Sequence, residues 1–569
     1  MKLKTMKKKI IYASALLVAL LTNSCSDFLD KTPQGTLNKE EVTSPQYVDN
    51  LVTSAYAILV SGDDMNASFT LWNYDVRSDD VYKGGSGAAD GDVFHFLEIS
   101  KGVNTTDWNI SDIWKRLYKC ITRCNIALQS LNNIDEASFP MKEQRIAEMR
   151  FLRGHNLFML KELFKKIVIP DENVTEEEYA TLSNNVYNND EQWQKIADDF
   201  KFAYDNLPET QVEKGRPTQA AAAAYLAKTY LYKAYRQDDK NNVTEINEAD
   251  LKEVLTYTDS QIMSAGGNEL ETDYCMNFLP QYENGKESLW AIQYSINDGT
   301  KYGNLNFGMQ LTVPQYLGCC DFHKPSQNLV NVFKTRNGLP FASNNDANYD
   351  SSKDTSDPRL FHTVAIPGFP YKYNEEYMYD ESWNRQKDYY GVYASLKENV
   401  DPDCECQKKI NGTFWANSLN HIVIRYADVV LMRAEALIEL HRAGEALPLI
   451  NKIRSRAAVS NTLIAGYATN LDAKVYQDGV NCAWTEDFAR EALRMERRLE
   501  FAMESSRFFD LVRWGIADKV INAYYLSESK RRTYYSDAYF TKNKNEYLPI
   551  PYAQITASGN RYQQNNNWN

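Results

Sequence analysis

The chain has little of what metal-dependent and nucleophilic enzymes use. Its 569 residues include only six histidines. His95, His155, His323, His362, His421 and His441 stand apart, with no H-E-x-x-H pairing, so a protease-type metal site has no foundation. There is no G-x-S-x-G elbow and no nucleophile–base motif. The glycine-rich GGSGAADG stretch lacks the Lys-Ser/Thr that completes a phosphate loop. The nine cysteines show no structural zinc spacing. Basic charge is also short, at 63 Lys and Arg against 76 Asp and Glu, a net of -13. That field repels phosphate backbones and leans against highly sulfated chains, which excludes nucleic acid as a partner. Past residue 24 no uninterrupted apolar run approaches the 18 residues of a membrane span.

What is present begins at the amino terminus. Lys2, Lys4, Lys7, Lys8 and Lys9 precede an apolar run from Ile10 to Leu21, and Thr22–Asn23–Ser24 leads into Cys25. As a helix this run covers about 18 Å, too short for a bilayer core of about 30 Å. It reads as an export signal. A cysteine directly after such a run is the thiol on which lipoprotein lipidation occurs, although Leu21 stands one place further from Cys25 than the commonest lipobox has it. Residues 1–24 are therefore assigned to the signal and 25–44 to a lipidated tether. Removing the signal takes away five lysines and no acid, leaving a net of -18. Of the later cysteines, Cys404 and Cys406 sit in a polar loop and are the pair best placed to bridge in an exported chain. Adjacent Cys319 and Cys320, and Cys120 and Cys124 at i,i+4, seldom meet disulfide geometry.

Helical periodicity runs through 45–60, 107–132, 141–163, 190–206, 218–236 and 251–263. Thr218 is placed to cap the helix that starts with Ala220 to Ala224, whose small side chains let a neighbour approach closely. Periodicity returns over 424–440 and 445–457 and is strongest over 486–515. Paired helices with short connectors look like tetratricopeptide hairpins. The reading is mainly α: a helical region at 45–266, a large irregular insertion at 267–420 and a second helical region at 421–569. The charged ladder from Arg494 to Arg513 reads as ion pairs that lace a helix surface or fix neighbouring helices. Trp108, Trp114, Trp193 and Trp514 read as core.

Several segments together resemble the SusD/RagB family of outer-membrane nutrient-binding lipoproteins. They are Cys25–Ser26–Asp27–Phe28–Leu29–Asp30, Gly215–Arg216–Pro217–Thr218, PSQNLVNVFKTRNGLP at 325–340, DPRL at 357–360, RYADVVLMRAEAL at 425–437, ERRLEFAMESSRFFDLVRWG at 496–515 and LPIP at 548–551. Met503 and Ser505 depart from the family pattern, which usually has glycine at the second position. The resemblance implies a tetratricopeptide-like scaffold carrying a variable glycan-binding region. It also implies an outer-membrane lipid anchor facing outward, a SusC-like TonB-dependent transporter as partner, and no catalysis. A structural protein, or one that binds a non-sugar nutrient, is the alternative.

A neutral sugar presents apolar C–H faces and a rim of hydroxyls, so exposed rings beside Asp, Asn or Arg suit it. Trp72, Asn73, Tyr74, Arg77, Asp79 and Tyr82, beside Gly84–Gly85–Ser86–Gly87, are the first candidate set. Trp290, Tyr294 and Trp383 in the insertion are the second. Tyr371, Tyr373, Tyr377 and Tyr379 alternate, which in one strand would share a face, as a sugar-stacking strip or as its packed side. No cofactor is expected, although the Asp/Asn-rich loop 343–357 has oxygens that suit a structural calcium ion.

Overall fold

The computed structural model describes residues 44–60, 75–301, 303–341 and 345–568. Among the described residues, the scaffold is built on the helices α1 (Pro45–Val60), α2 (Trp108–Asn133), α3 (Lys142–Phe164), α4 (Asn189–Asn206), α5 (Gln219–Ala234), α6 (Glu248–Tyr257), α7 (Tyr426–Glu439), α8 (Ala443–Val459) and α9 (Glu486–Glu500), with a further one at Ala517–Glu528. From α1 to α7 each helix packs on the next, and α7, α8 and α9 then contact one another. This is the succession of paired helices that the periodicity implies, in a mainly α chain.

Local chemistry explains the helix boundaries. Asn188 accepts the backbone N–H groups of Asp190 and Glu191 at 2.9 and 3.0 Å, and Glu191 returns a bond to the Asn188 N–H. This reciprocal arrangement satisfies donors left over at the start of α4. Thr218 accepts from Ala221 N at 3.3 Å and caps α5. Ala220 to Ala224 are all buried between α4 and α6.

The 486–515 segment is not one helix. It breaks between α9 and a short helix at Arg507–Arg513, with Met503 and Ser505 both at φ +64°. That is the left-handed region where glycine carries no steric cost. Among the four tryptophans read as core, Trp114, Trp193 and Trp514 are buried, while Trp108 is exposed.

Between α6 and α7 the chain is mostly short strands and turns. Five strands matter here, together with an earlier one: β1 (Val81–Gly84), β2 (Ser288–Ile292), β3 (Phe322–Pro325), β4 (Pro370–Tyr371), β5 (Asn374–Met378) and β6 (His421–Arg425). β1 pairs with β3, β2 with β6, and β4 with β5, all antiparallel. The β4–β5 hairpin corrects the single-face arrangement of the four tyrosines. Lys372 and Tyr373 turn the chain at φ +47° and +68°. Tyr371 and Tyr379 are buried, and Tyr373 bonds His362, so the tyrosines pack and form no strip. Cys404 and Cys406 are bridged, and so are Cys319 and Cys320 against expectation.

Candidate functional site

Most of the sequence candidates lie in the interior. Trp72, Asn73, Tyr74 and Cys25 fall outside the described residues. Arg77, 4% exposed, donates to the carbonyls of Asn545 and Glu546 at 2.8 and 3.2 Å and lies over the Phe508 ring. Asp79 pairs with Arg507 at 2.9 Å and Arg498 at 2.8 Å. Burial alone would raise its carboxyl pKa, but the two guanidiniums hold it below the usual range. Tyr82 is fully buried and donates to Glu528 at 2.5 Å. Trp290, 3% exposed, donates from Nε1 to the Gly215 carbonyl at 2.8 Å and meets Phe151 edge to face. These four side chains join distant parts of the chain and present no face to a ligand.

Trp383 leads to a surface the sequence reading missed. It is 6% exposed because the Tyr316 ring stacks on it, with centroids 4.5 Å apart at 17°. Tyr371 and Tyr379 support Trp383 from beneath. Tyr316 is 66% exposed, so a ring already held on one side turns toward solvent. Two residues beyond Trp383, the exposed Arg385 donates to Asp90 at 3.0 Å. Asp90 also accepts from the backbone and hydroxyl of Ser86 at 2.9 and 3.0 Å. Burial works against the Asp90 carboxylate, but the Ser86 bonds and Arg385 outweigh it and lower its pKa.

Three loops thus converge, and buried polar groups fix them. Lys83 Nζ donates to the carbonyls of Gly84, Gly87 and Asp90, pinning the glycine-rich loop from inside. Its pKa is pushed down to about 8 by burial. Asp321 accepts Lys324 Nζ at 2.6 Å and the Arg385 N–H at 2.8 Å, tying β3 to the Trp383 loop. Gly84, at φ +84°, is required because a Cβ there would lie 2.2 Å from the Asp321 carbonyl. The result is an exposed ring stacked on Trp383, two residues along the chain from an Arg385–Asp90–Ser86 cluster of guanidinium, carboxylate and hydroxyl, the elements that hold a sugar. The only sequence signal for Tyr316 was an aromatic between Pro314 and Gly318 in a turn-rich stretch.

Tyr294 goes elsewhere. It is half-buried and lines a cavity of about 240 Å³ between α3, α5, β6 and the break after α9, beside His155, Glu162, Lys228 and His421. Burial holds both imidazoles below their ordinary pKa, His155 at about 3, so they are neutral at pH 7. Burial also pushes Glu162 up to about 7, against the pull of Lys228. Among the described residues no group of three or more His, Cys, Asp or Glu is placed to hold a metal. In the loop considered for calcium, Asp350 pairs with Lys353, and Asp354 with Lys334.

Comparison with known proteins settles the kinship of this fold. The model of the SusD family matches residues 286–568, and a SusD-like model described as starch-binding, associating with outer membrane, matches residues 27–231. The chain belongs to the SusD family. A SusD-like protein of Bacteroides ovatus is 26% identical over 94% of this chain and 87% of its own length. A solved SusD homolog from Bacteroides thetaiotaomicron superposes with a TM-score of 0.70 at 20% identity, covering 94% of this chain and all of that one. A laminarin-binding SusD-like protein superposes with a TM-score of 0.61 at 21% identity over 92% of this chain and 99% of that one. These likenesses carry the SusD fold across more than nine-tenths of the chain, and the family-model description associates it with the outer membrane.

Proposed function

We propose that this SusD-family protein captures neutral oligosaccharides at the bacterial cell surface and passes them to a SusC-like TonB-dependent transporter, with no catalysis of its own. Cys25 carries the lipid that holds it to the outer leaflet of the outer membrane. The observation that carries the reading is the outward face of Tyr316, stacked on Trp383, two residues before the Arg385 that pairs with Asp90. A sugar ring lies on Tyr316, and Asp90 and Arg385 bond its hydroxyls. The platform is preformed, so little ordering cost is left for binding. That a similar protein binds laminarin supports the reading. Retention near the transporter mouth raises the local ligand concentration there.

Affinity electrophoresis of the mature protein through gels containing laminarin, starch or xyloglucan tests this. At least one polymer is expected to retard the wild type. Tyr316→Ala should weaken that retention by about tenfold or more, while Tyr316→Phe keeps most of it. A protein that none of the three retards, or a Tyr316→Ala variant retarded like the wild type, overturns the proposal.

A further inference from the structure

A second surface has the same chemistry and adjoins the β4–β5 hairpin at Phe369. Phe361, Phe369 and Tyr467 form an aromatic tripod, with Phe361–Phe369 centroids 5.0 Å apart and Phe369–Tyr467 centroids 5.9 Å apart. They wall an open groove of about 420 Å³ whose remaining lining includes Ser351, Ser352, Thr469 and Asn470. None of the described residues lining it is charged, in a chain where 24% of residues are. Beside it in the chain, Asp350 and Lys353 pair at 2.6 Å, and the exposed Glu375 acts on the Tyr467 hydroxyl only after burial, the larger cause of its raised pKa. A groove of rings, hydroxyls and one amide favours a neutral, hydroxyl-rich ligand and offers an ion nothing.

The groove is built and not a chance gap. Asn470 Nδ2 donates to the Ser351 carbonyl at 2.6 Å, and the Ser356 N–H donates to the Asn470 carbonyl at 3.0 Å, tying its two walls together. The Tyr467 hydroxyl has no hydrogen-bond partner among the described residues, and burial pushes its pKa up, so it stays a neutral donor. The hairpin links this groove to the first platform. The Phe369 carbonyl accepts from Tyr379 N at 2.9 Å, and the Tyr379 ring meets Trp383 edge-on at 5.4 Å beneath Tyr316.

We propose that the Tyr467 groove is a second glycan-contact site, which takes a further stretch of the same neutral polysaccharide that lies on Tyr316. The inference rests on the glycan-binding reading above. Two modest sites at fixed spacing hold a polymer far more tightly than either holds a short piece, because the second contact becomes intramolecular.

The test pairs stoichiometry with avidity. Laminarin, starch and xyloglucan, and a trisaccharide of whichever polymer binds, are titrated calorimetrically into the wild type, Tyr467→Ala, Thr469→Arg and Tyr316→Ala. Thr469 is exposed, so an arginine there fills the groove and leaves the core alone if Tyr467→Ala fails to fold. The wild type should take two trisaccharides, and each groove variant one. Polymer affinity should fall on the order of tenfold to a hundredfold in the groove variants. A wild type that takes one trisaccharide, with groove variants matching it on polymer, overturns the second site and leaves Tyr316 standing. A wild type that binds no polymer overturns both.

Discussion

His323 shows how a residue without a catalytic task can still set the behaviour of this protein. Its Nε2 faces Asp75 at 2.9 Å and its Nδ1 faces Glu398, and the side chain is fully buried. Burial disfavours the imidazolium, but the two carboxylates outweigh it and raise the pKa to about 10. The raised value fixes the sign. The unfolded chain holds this histidine near 6.5, so the stabilisation is complete below about pH 6.5 and is lost as pH rises through about 10. The His323 contribution, read as the difference in unfolding free energy between the wild type and His323→Gln in urea titrations, should therefore fall by a few kcal/mol between pH 6 and 10. Asp75 also accepts from the Ser505 N–H and hydroxyl at 3.2 Å, so the same pair braces the break after α9. Contacts of this kind explain why the candidate residues sorted as they did. Arg77 and Asp79 read as loop polar groups because their partners at 545, 498 and 507 lie more than 400 positions away. Trp383 was singled out, but Tyr316, 67 residues earlier, takes the exposed place above it, and nothing in either local sequence orders the two.

At the scale of elements, α9 carries the heaviest electrostatic load. Glu500 accepts from Arg425 at 2.5 Å, from Arg359 at 2.8 Å and from Arg456, all four side chains being buried. Burial would raise its carboxyl pKa, but the three guanidiniums reverse this and hold it low. Arg359 comes from the DPRL segment, Arg425 from β6 and Arg456 from α8, so one carboxylate gathers the insertion and the second helical region. Glu500→Ala leaves buried guanidiniums short of charge and should cost about 3–5 kcal/mol, read as a lower midpoint in urea. The helices were legible from their apolar period, whereas the spacing of the ladder left open whether it laces a surface or fixes neighbouring helices, which the buried arginines around Glu500 decide. The break at 501–506 was not legible. Ser505 holds a left-handed backbone through its bond to Asp75, a contact that no local pattern shows. The hairpin turn was hidden in the same way, because Lys372 and Tyr373 carry none of the glycine, asparagine or proline that marks a reversal.

For the whole molecule, the question is what keeps a water-compatible body beside a membrane. Among the described residues no helix is long and apolar enough to cross a bilayer. Under the proposed function, attachment therefore falls to the thiol of Cys25 and the chains it carries. A single acyl chain binds membranes only marginally, with an association constant of about 10⁴ M⁻¹, and stable anchoring needs a second. A diacylglyceryl thioether with an amine-linked chain supplies that surplus. Cys25→Ser removes the only attachment point for the thioether, so radiolabelled palmitate should no longer enter the protein, and the exported chain should leave the outer-membrane fraction. The Tyr316 platform is built from residues 83–90, 316–324 and 383–385, far along the chain from the tether. Purified Cys25→Ser protein should accordingly bind polysaccharide as the wild type does. Palmitate labelling that persists in the variant would place the anchor elsewhere, whereas loss of glycan binding along with the label would show that the platform depends on the tether.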